Sequence, residues 1–209
     1  MKFSASNALR GLYVITDATL TSPQHFTSTI EQTLRGGARI IQYRDKSSDH
    51  SRRLQQALAL KKICAQYRAL LIINDDIELA NKIDADGVHI GSHDAALADA
   101  RKQLGDKIIG VSCYNQFELA VTAEKNGADY IAFGSFFSSS TKPDAARADT
   151  SLIVQAKQEL KTPVCAIGGI TIENAPALVT AGADMIAVIT DLFTTENIES
   201  RSNQFMRLF

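Results

Sequence analysis

Two aspartates stand at positions where a divalent cation could be bound. Asp75 follows the apolar run Leu70–Ile73 after one intervening residue, Asn74, and Asp94 lies one strand–helix unit further along the chain. If both follow parallel strands, their loops are neighbours, because adjacent strands lie only ~4.8 Å apart. Magnesium binds through one or two carboxylates together with waters and substrate phosphate oxygens. The spacing therefore predicts a Mg²⁺ site. The competing structural interpretation makes Asn74 a turn residue and Asp76 a helix N-cap.

Basic and hydroxyl side chains gather in two further segments. Arg44 and Lys46 lie in the segment QYRDK, and Lys142 follows several hydroxyl residues in SSSTKPD. Guanidinium and ammonium groups beside hydroxyls bind phosphate through charge-assisted hydrogen bonds. If the two segments share one mouth, they predict a clamp for a phosphate or diphosphate. If they do not, the charges are ordinary solvated loop residues.

A third segment, AIGGITIENAPAL, places Gly168 and Gly169 between an apolar strand and a helix start. Glycine lets backbone amides come close to an anion, and a helix N-terminus favours negative charge. The sequence therefore predicts two anion sites, which two phosphorylated substrates would fill if one carries a diphosphate. The four histidines form no triad with a serine or cysteine, so covalent catalysis is not supported. His89 is expected to be a hydrogen-bonded core residue.

These segments need a common scaffold, which the order of the predicted elements supplies. Four strands follow a repeated phrase rich in Gly, Ala and Asp, at residues 35–44, 84–91, 126–134 and 181–190, and four others lie at residues 12–16, 70–73, 108–112 and 163–167. Helical patterns cover residues 25–36, 51–67, 76–83, 95–104, 116–126, 151–160, 172–180 and 196–208. Alternating strands and helices predict a parallel sheet. Eight such units in a single domain, residues 1–209, predict an α/β fold of the (β/α)8 TIM-barrel type.

The alternative fold is a doubly wound open sheet. That fold normally has a glycine fingerprint after its first strand, and VITDATLTSP contains no glycine. In a barrel, the active site lies at the carboxyl ends of the strands. The predicted strand ends bring these polar and glycine residues to one rim: Thr16, Asp17, Gln42, Arg44, Asn74, Asp75, Gly91, Ser112, Gly134, Gly168, Gly169 and Thr190.

The overall composition is that of a globular protein without a strong electrostatic field. The net charge is −1 and 45% of the residues are apolar, so the global charge recruits neither nucleic acid nor an anionic membrane. No apolar stretch approaches the ~20 residues that span a bilayer, and the first residues lack the hydrophobic region of a signal peptide. Cys64, Cys113 and Cys165 show no metal-ligand spacing, so we expect reduced core cysteines and a cytoplasmic location. Small molecules are the expected partners, and homo-oligomerisation stays open.

Taken together, the motifs resemble the thiamine-phosphate synthase family. They are, in chain order, GLYVITD, QYRDK, NDDIELA, DGVHIG, GVSCYN, STK, AIGGIT and GADMIAVIT, from about Gly11 to Phe193. The resemblance implies a (β/α)8 barrel that joins a hydroxymethylpyrimidine diphosphate to a thiazole phosphate and releases pyrophosphate, with Mg²⁺ as cofactor. Two departures stand out. Ser139 replaces a threonine that is frequent in the family, and the loop before the sixth helix lacks a common glycine.

The same resemblance implies roles for individual residues. The residues implied to hold the pyrimidine diphosphate are Gln42, Arg44, Lys46, Asn74, Ser112 and Lys142. The residues implied to bind Mg²⁺ are Asp75 and Asp94, and those at the thiazole phosphate are Ser139, Thr141, Gly169, Ile189 and Thr190. The catalytic set is then Arg44, Lys46, Ser112 and Lys142. A dissociative step is expected because the electron-rich pyrimidine supports a cation, which the thiazole nitrogen then attacks.

Three other functions compete with this interpretation. A thiazole tautomerase-like barrel tends to have a histidine two residues after the strand-five serine, where this chain has Tyr114. A non-catalytic barrel that binds phosphate ligands would not need the predicted metal pair Asp75 and Asp94. A sugar-phosphate epimerase or isomerase would need a placed acid–base pair, and the sequence offers no convincing one.

Overall fold

The computed structural model describes residues 9–91, 97–138 and 147–209, and these form a closed barrel of eight parallel strands. The strands are β1 Gly11–Ile15, β2 Ile40–Tyr43, β3 Leu70–Asn74, β4 Gly87–Ile90, β5 Ile108–Tyr114, β6 Tyr130–Phe133, β7 Val164–Ile167 and β8 Met185–Val188. Strand β8 pairs in parallel with β1, with Met185 opposite Gly11. This pairing closes the sheet and excludes the open doubly wound alternative, so the predicted barrel is confirmed.

Helices separate the strands, as the alternating pattern predicts. They are α1 Phe26–Arg35, α2 His50–Tyr67, α3 Ile77–Lys82, α4 Leu97–Leu104, α5 Phe117–Lys125, α6 Thr150–Glu159, α7 Ala175–Thr180, α8 Thr190–Phe193 and α9 Ile198–Met206. Helix α8 was not predicted, because four residues are too few to show a helical period. Thr190, predicted to end the eighth strand, is instead the first residue of this helix. No helix in the described residues is long and apolar enough to cross a membrane.

Alternation along each strand separates two apolar layers. In β1, Leu12 and Val14 pack outward against the helices, whereas Tyr13 and Ile15 fill the barrel interior. This is the expected consequence of successive side chains pointing to opposite faces of a strand. All four of these residues are almost completely buried. The interior is therefore a packed core below the mouth, and it includes tyrosine hydroxyls that need hydrogen-bond partners.

The repeated phrase places an aspartate just before each of three strands. These lower-rim aspartates are Asp86, Asp129 and Asp184, before β4, β6 and β8. Each carboxylate accepts a 2.8 Å hydrogen bond from the backbone amide of the first or second residue of a neighbouring strand. The donors are Leu71, Ile109 and Val164. Each also pairs with a cation on a preceding helix, these being Lys61, Arg101 and Lys157. The phrase therefore fastens neighbouring strands at the amino end of the barrel.

Candidate active site

The carboxyl ends of β2, β3 and β5 meet at the barrel mouth. Of the predicted residues, Gln42, Arg44, Asn74 and Ser112 all line one pocket there. Thr16 holds the strand end in place, because its hydroxyl accepts a 2.9 Å hydrogen bond from the backbone amide of Arg44. The prediction that these strand ends converge is therefore what the structure shows for these four residues.

Asp75 adopts an unusual backbone conformation at the end of β3. Its φ is 62°, in the left-handed region that a residue with a Cβ seldom adopts. Its backbone amide donates a 2.9 Å hydrogen bond to the carbonyl of His89 on the next strand. Its carboxylate accepts a hydrogen bond from the Asn74 side-chain amide at 2.5 Å and forms an ion pair with Lys46. Lys46, Asn74 and Asp75 thus lie together at the mouth, as predicted.

Asp76, the next residue, stabilises the start of the helix that follows this turn. Its side chain accepts a hydrogen bond of 2.8 Å from the backbone amide of Leu79 and so caps helix α3, as predicted. Arg53 on helix α2 donates to the same carboxylate at 2.5 Å. Asp76 is therefore engaged in structure, which leaves Asp75 as the carboxylate of this pair that belongs to the mouth.

A second cavity adjoins the first on the side of β7 and β8. It is lined by Gly169, Ile189 and Thr190 among others, which the sequence predicts together. Gly168 and Gly169 both have positive φ, 107° and 61°. A Cβ on Gly169 would lie 2.2 Å from the carbonyl oxygen of Ser138, so the turn requires glycine and packs tightly against the loop after β6. The two glycines of this turn are both part of the cavity wall.

Five polar side chains form a continuous hydrogen-bonded chain across the barrel interior to the pocket. The Gln42 amide nitrogen donates to the Tyr13 hydroxyl at 2.8 Å, and the Tyr13 and Tyr130 hydroxyls lie 2.6 Å apart. The Tyr130 hydroxyl is 2.9 Å from Nδ1 of His89, and Nε2 of His89 is 2.9 Å from the Ser112 hydroxyl. The rings of His89 and Tyr130 also stack, with centroids 5.5 Å apart.

Burial keeps this chain uncharged near neutral pH. Burial lowers the pKa of His89 to about 4, although the charge of Asp75 opposes the shift. Burial also raises the pKa of Tyr130 well above its usual value, and Tyr13 is shifted in the same direction by the same cause. The imidazole is therefore neutral at pH 7, with one ring nitrogen that donates and one that accepts.

Sequence reasoning missed this hydrogen-bonded chain. His89 is fully hydrogen-bonded, as predicted, but it lies against Ser112 and lines the pocket rather than a closed core. Strand alternation was the available signal, because Val88 and Ile90 on either side of His89 pack outward. Tyr13 and Tyr130 belong to the interior layer by the same rule.

Four predicted site residues lie outside the described residues, namely Asp94, Ser139, Thr141 and Lys142. Their predicted roles stay predictions. Within the described residues, no group of three or more histidine, cysteine, aspartate or glutamate side chains could hold a metal ion. Asp75 nevertheless fits a magnesium site, because such a site needs only one or two carboxylates. Substrate phosphate oxygens and water would supply the other ligands of the ion.

The fold and this mouth define a class: a (β/α)8 barrel whose carboxyl rim gathers cationic side chains on one side and a glycine turn on the other. A family model described as thiamine monophosphate synthase matches residues 12–192. The chain belongs to this family. It is an enzyme of thiamine biosynthesis and a transferase, and the family acts on small molecules.

Individual relatives and a solved structure agree with this placement. The chain is 51% identical to the thiamine-phosphate synthase of Methylobacillus flagellatus, with 96% of each chain covered. It is 46% identical to that of Thioalkalivibrio sulfidiphilus, again with 96% of each covered. The structure of thiamine phosphate pyrophosphorylase from Pyrococcus furiosus superposes with a TM-score of 0.87 at 32% identity, covering 97% of this chain and 96% of that chain.

Proposed function

We propose that the protein condenses 4-amino-2-methyl-5-hydroxymethylpyrimidine diphosphate with a thiazole phosphate, giving thiamine phosphate and pyrophosphate. The observation that carries the proposal is the pair of adjoining cavities at the mouth. They share Ile167, Gly168, Ala187 and Ile189 as a common wall. Two substrates with separate anionic ends can therefore bind side by side with their reacting atoms close to that wall.

The pyrimidine diphosphate belongs in the cavity with the cations. Arg44, Lys46 and Lys142 would neutralise the diphosphate, with Gln42, Asn74 and Ser112 as neutral hydrogen-bonding groups around it. Support comes from the described members of this set, of which Gln42, Arg44, Asn74 and Ser112 line one pocket. Lys46 lies at the same mouth through its ion pair with Asp75. A bound diphosphate would offer Lys46 a second anionic partner beside Asp75.

Magnesium is the proposed cofactor, held by Asp75 and Asp94. When bound, it supplies Lewis-acid stabilisation of the charge that develops on the departing diphosphate. The left-handed turn at Asp75 supports this assignment, because strained backbone at a strand end is often retained for a functional constraint. The Asn74 amide, 2.5 Å from the same carboxylate, would orient it toward the ligand.

The thiazole phosphate belongs in the second cavity. Gly169, Ile189 and Thr190 would surround the phosphate with backbone groups, and the hydroxyls of Ser139 and Thr141 would complete the site. Support comes from the glycine turn, where a Cβ on Gly168 would lie 2.1 Å from the Ser135 hydroxyl oxygen. In barrels of this kind, phosphate sites recur after the seventh and eighth strands.

The chemistry needs little beyond charge neutralisation and alignment. The bond from the pyrimidinylmethyl carbon to the diphosphate oxygen breaks, and the oxygen keeps the electron pair. The electron-rich pyrimidine supports the resulting cation while Arg44, Lys46 and Lys142 hold the leaving group. Fixed donors of this kind are each worth ~3 kcal/mol in the transition state. The thiazole nitrogen then attacks the carbon with its own lone pair, so no enzyme base is needed.

A two-substrate assay tests the proposal. The purified protein is incubated with Mg²⁺ and with the pyrimidine diphosphate alone, the thiazole phosphate alone, or both. We expect thiamine phosphate and pyrophosphate in equal amounts only when both substrates are present. Binding of both ligands without product would favour a non-catalytic phosphate-binding barrel. Isomerisation of the thiazole without pyrophosphate release would favour the tautomerase-like alternative.

A further inference from the structure

The hydrogen-bonded chain from Gln42 to Ser112 has a direction, and we infer that it makes His89 a positioning residue that turns the Ser112 hydroxyl proton toward the bound pyrimidine diphosphate. This inference rests on the proposed function. It adds three residues to the site, Tyr13, Tyr130 and His89, none of which needs to touch the substrate. Their proposed task is to decide whether Ser112 donates or accepts.

The direction follows from counting donors and acceptors. The amide nitrogen of Gln42 can only donate, so the Tyr13 hydroxyl oxygen accepts at that end. Tyr13 then has one proton left, and its other described partner is the Tyr130 hydroxyl at 2.6 Å. Tyr130 has one proton in turn, which reaches Nδ1 of His89 at 2.9 Å. Each hydroxyl in this order accepts once and donates once.

The opposite order of donors and acceptors would leave a buried hydroxyl proton without an acceptor. If Ser112 donated to His89, then His89 would donate to Tyr130, and Tyr130 to Tyr13. The proton of Tyr13 would then face only the Gln42 amide nitrogen among these groups, and that nitrogen cannot accept. Tyr13 lines the pocket but is only 1% exposed, so bulk water has little access to it as a replacement acceptor. A buried unsatisfied donor costs about 1–3 kcal/mol, which favours the first order by roughly five- to 150-fold.

At the pocket, this order determines where the Ser112 hydroxyl proton points. A neutral imidazole that accepts at Nδ1 carries its proton on Nε2, so His89 donates to the Ser112 hydroxyl oxygen at 2.9 Å. The Ser112 proton is then left to point away from His89. Ser112 lines the pocket, where an acceptor such as a phosphate oxygen or a pyrimidine ring nitrogen can receive it. The stack of His89 on Tyr130 restricts rotation of the imidazole ring.

The tautomer of His89 can be read directly by nitrogen NMR on the histidine-labelled protein. We expect a pyridine-like shift at Nδ1 and a pyrrole-like shift at Nε2, with the signals assigned by their loss in His89→Gln. In Tyr130→Phe, the donor to Nδ1 is gone, and both shifts should move toward the mixed-tautomer average. A proton on Nδ1 in the wild-type protein would overturn the inference, even in an active enzyme.

A double-mutant cycle then tests whether Tyr130 acts through Ser112. We expect Tyr130→Phe to lower kcat/KM by about tenfold in the wild-type background, the size of one directed hydrogen bond. In a Ser112→Ala background, the same change should cost less than about twofold, because the hydroxyl that it positions is absent. Equal losses in both backgrounds would overturn the inference.

Tyr43→Phe is the matched control. Tyr43 is as buried as Tyr130, and its hydroxyl donates at 2.9 Å to Gln56 on helix α2, outside the chain described above. Its loss should leave the His89 tautomer and kcat/KM unchanged within about twofold. If the wild-type protein makes no thiamine phosphate, the proposed function fails. If it does and Tyr130→Phe changes neither tautomer nor turnover, only the positioning role fails.

Discussion

Aspartates at the two ends of the barrel have opposite environments. At the amino end, Asp184 is held by the backbone amide of Val164 at 2.8 Å and by Lys157 at 2.8 Å, both of them part of the scaffold. At the carboxyl end, Asp75 has a left-handed backbone and shares its carboxylate with Lys46, whose side chain is 55% exposed. The same residue type therefore fastens strands at one end and lies at the pocket mouth at the other, where we propose that it binds Mg²⁺.

The largest effect is expected from Asp75→Asn. Asparagine tolerates the left-handed conformation, so the turn should persist while the charged metal ligand is lost. We expect kcat/KM to fall by about a thousandfold, because stabilisation of the leaving group is removed. The free energy of unfolding should change by less than about 1 kcal/mol, as for other exposed ion pairs. Steady-state kinetics and urea unfolding measure both quantities, and near-normal turnover would contradict the metal role.

Lys142→Ala should have the next largest effect. Lys142 is predicted to neutralise the departing diphosphate, so its removal should lower kcat by about a hundredfold. Lys142→Arg retains the charge and serves as the matched control, with a smaller loss expected. Single-turnover pyrophosphate release is the measurement. A Lys142→Ala protein with unchanged turnover would show that the leaving group is stabilised by other residues.

Asp184→Ala should lower the stability of the protein and leave its activity unchanged. Val164 is completely buried, and its amide would lose its carboxylate acceptor while Lys157 loses its partner. We expect the free energy of unfolding to fall by about 2–3 kcal/mol, with kcat/KM unchanged within about twofold. Asp184→Asn keeps an acceptor oxygen and should lose only about 1 kcal/mol. A large loss of activity at full stability would contradict the division between the two ends.

The smallest effect concerns Glu124, a structural carboxylate remote from the mouth. Burial raises its pKa, but hydrogen bonds from the Thr162 hydroxyl and from the amides of Thr162 and Lys161, at 2.7–2.8 Å, outweigh this and lower it. A lowered folded-state pKa stabilises the protein above the ordinary carboxyl pKa, and this stabilisation is lost as the pH falls through the folded-state value.

Glu124→Gln should therefore cost about 1 kcal/mol at pH 7 and less at pH 3. Urea unfolding of both proteins at each pH measures the difference. A gap that widens on acidification would show that the sign of the pKa shift is wrong. Turnover at pH 7 should not change, since Glu124 lies at the end of helix α5 and not at the mouth.

Much of the scaffold could be predicted because its signals are local. Strand and helix periods alternate along the chain, and closure of the barrel follows from eight such units. The repeated phrase was visible, but the role of its aspartates was not. The partner of Asp129 is the amide of Ile109, about one strand–helix unit away, and only the register of the sheet shows that contact.

The candidate site also contains residues that the sequence could place and residues that it could not. Gln42, Arg44 and Asn74 could be placed at the mouth because each lies at, or next to, the last residue of a strand. The chain through Tyr13 and Tyr130 could not, because these residues lie on opposite sides of the barrel interior and meet only when it closes. Short helix α8 was missed for the different reason that one turn has no periodicity.

Magnesium-dependent pyrophosphate release by the wild-type protein is the most direct measurement of the proposed chemistry at the mouth. With both substrates present, we expect rapid release that falls by at least about a hundredfold when Mg²⁺ is removed by chelation and returns when it is restored. Equal rates with and without Mg²⁺, or release that does not depend on the thiazole phosphate, would contradict a shared, metal-assisted site at the carboxyl rim.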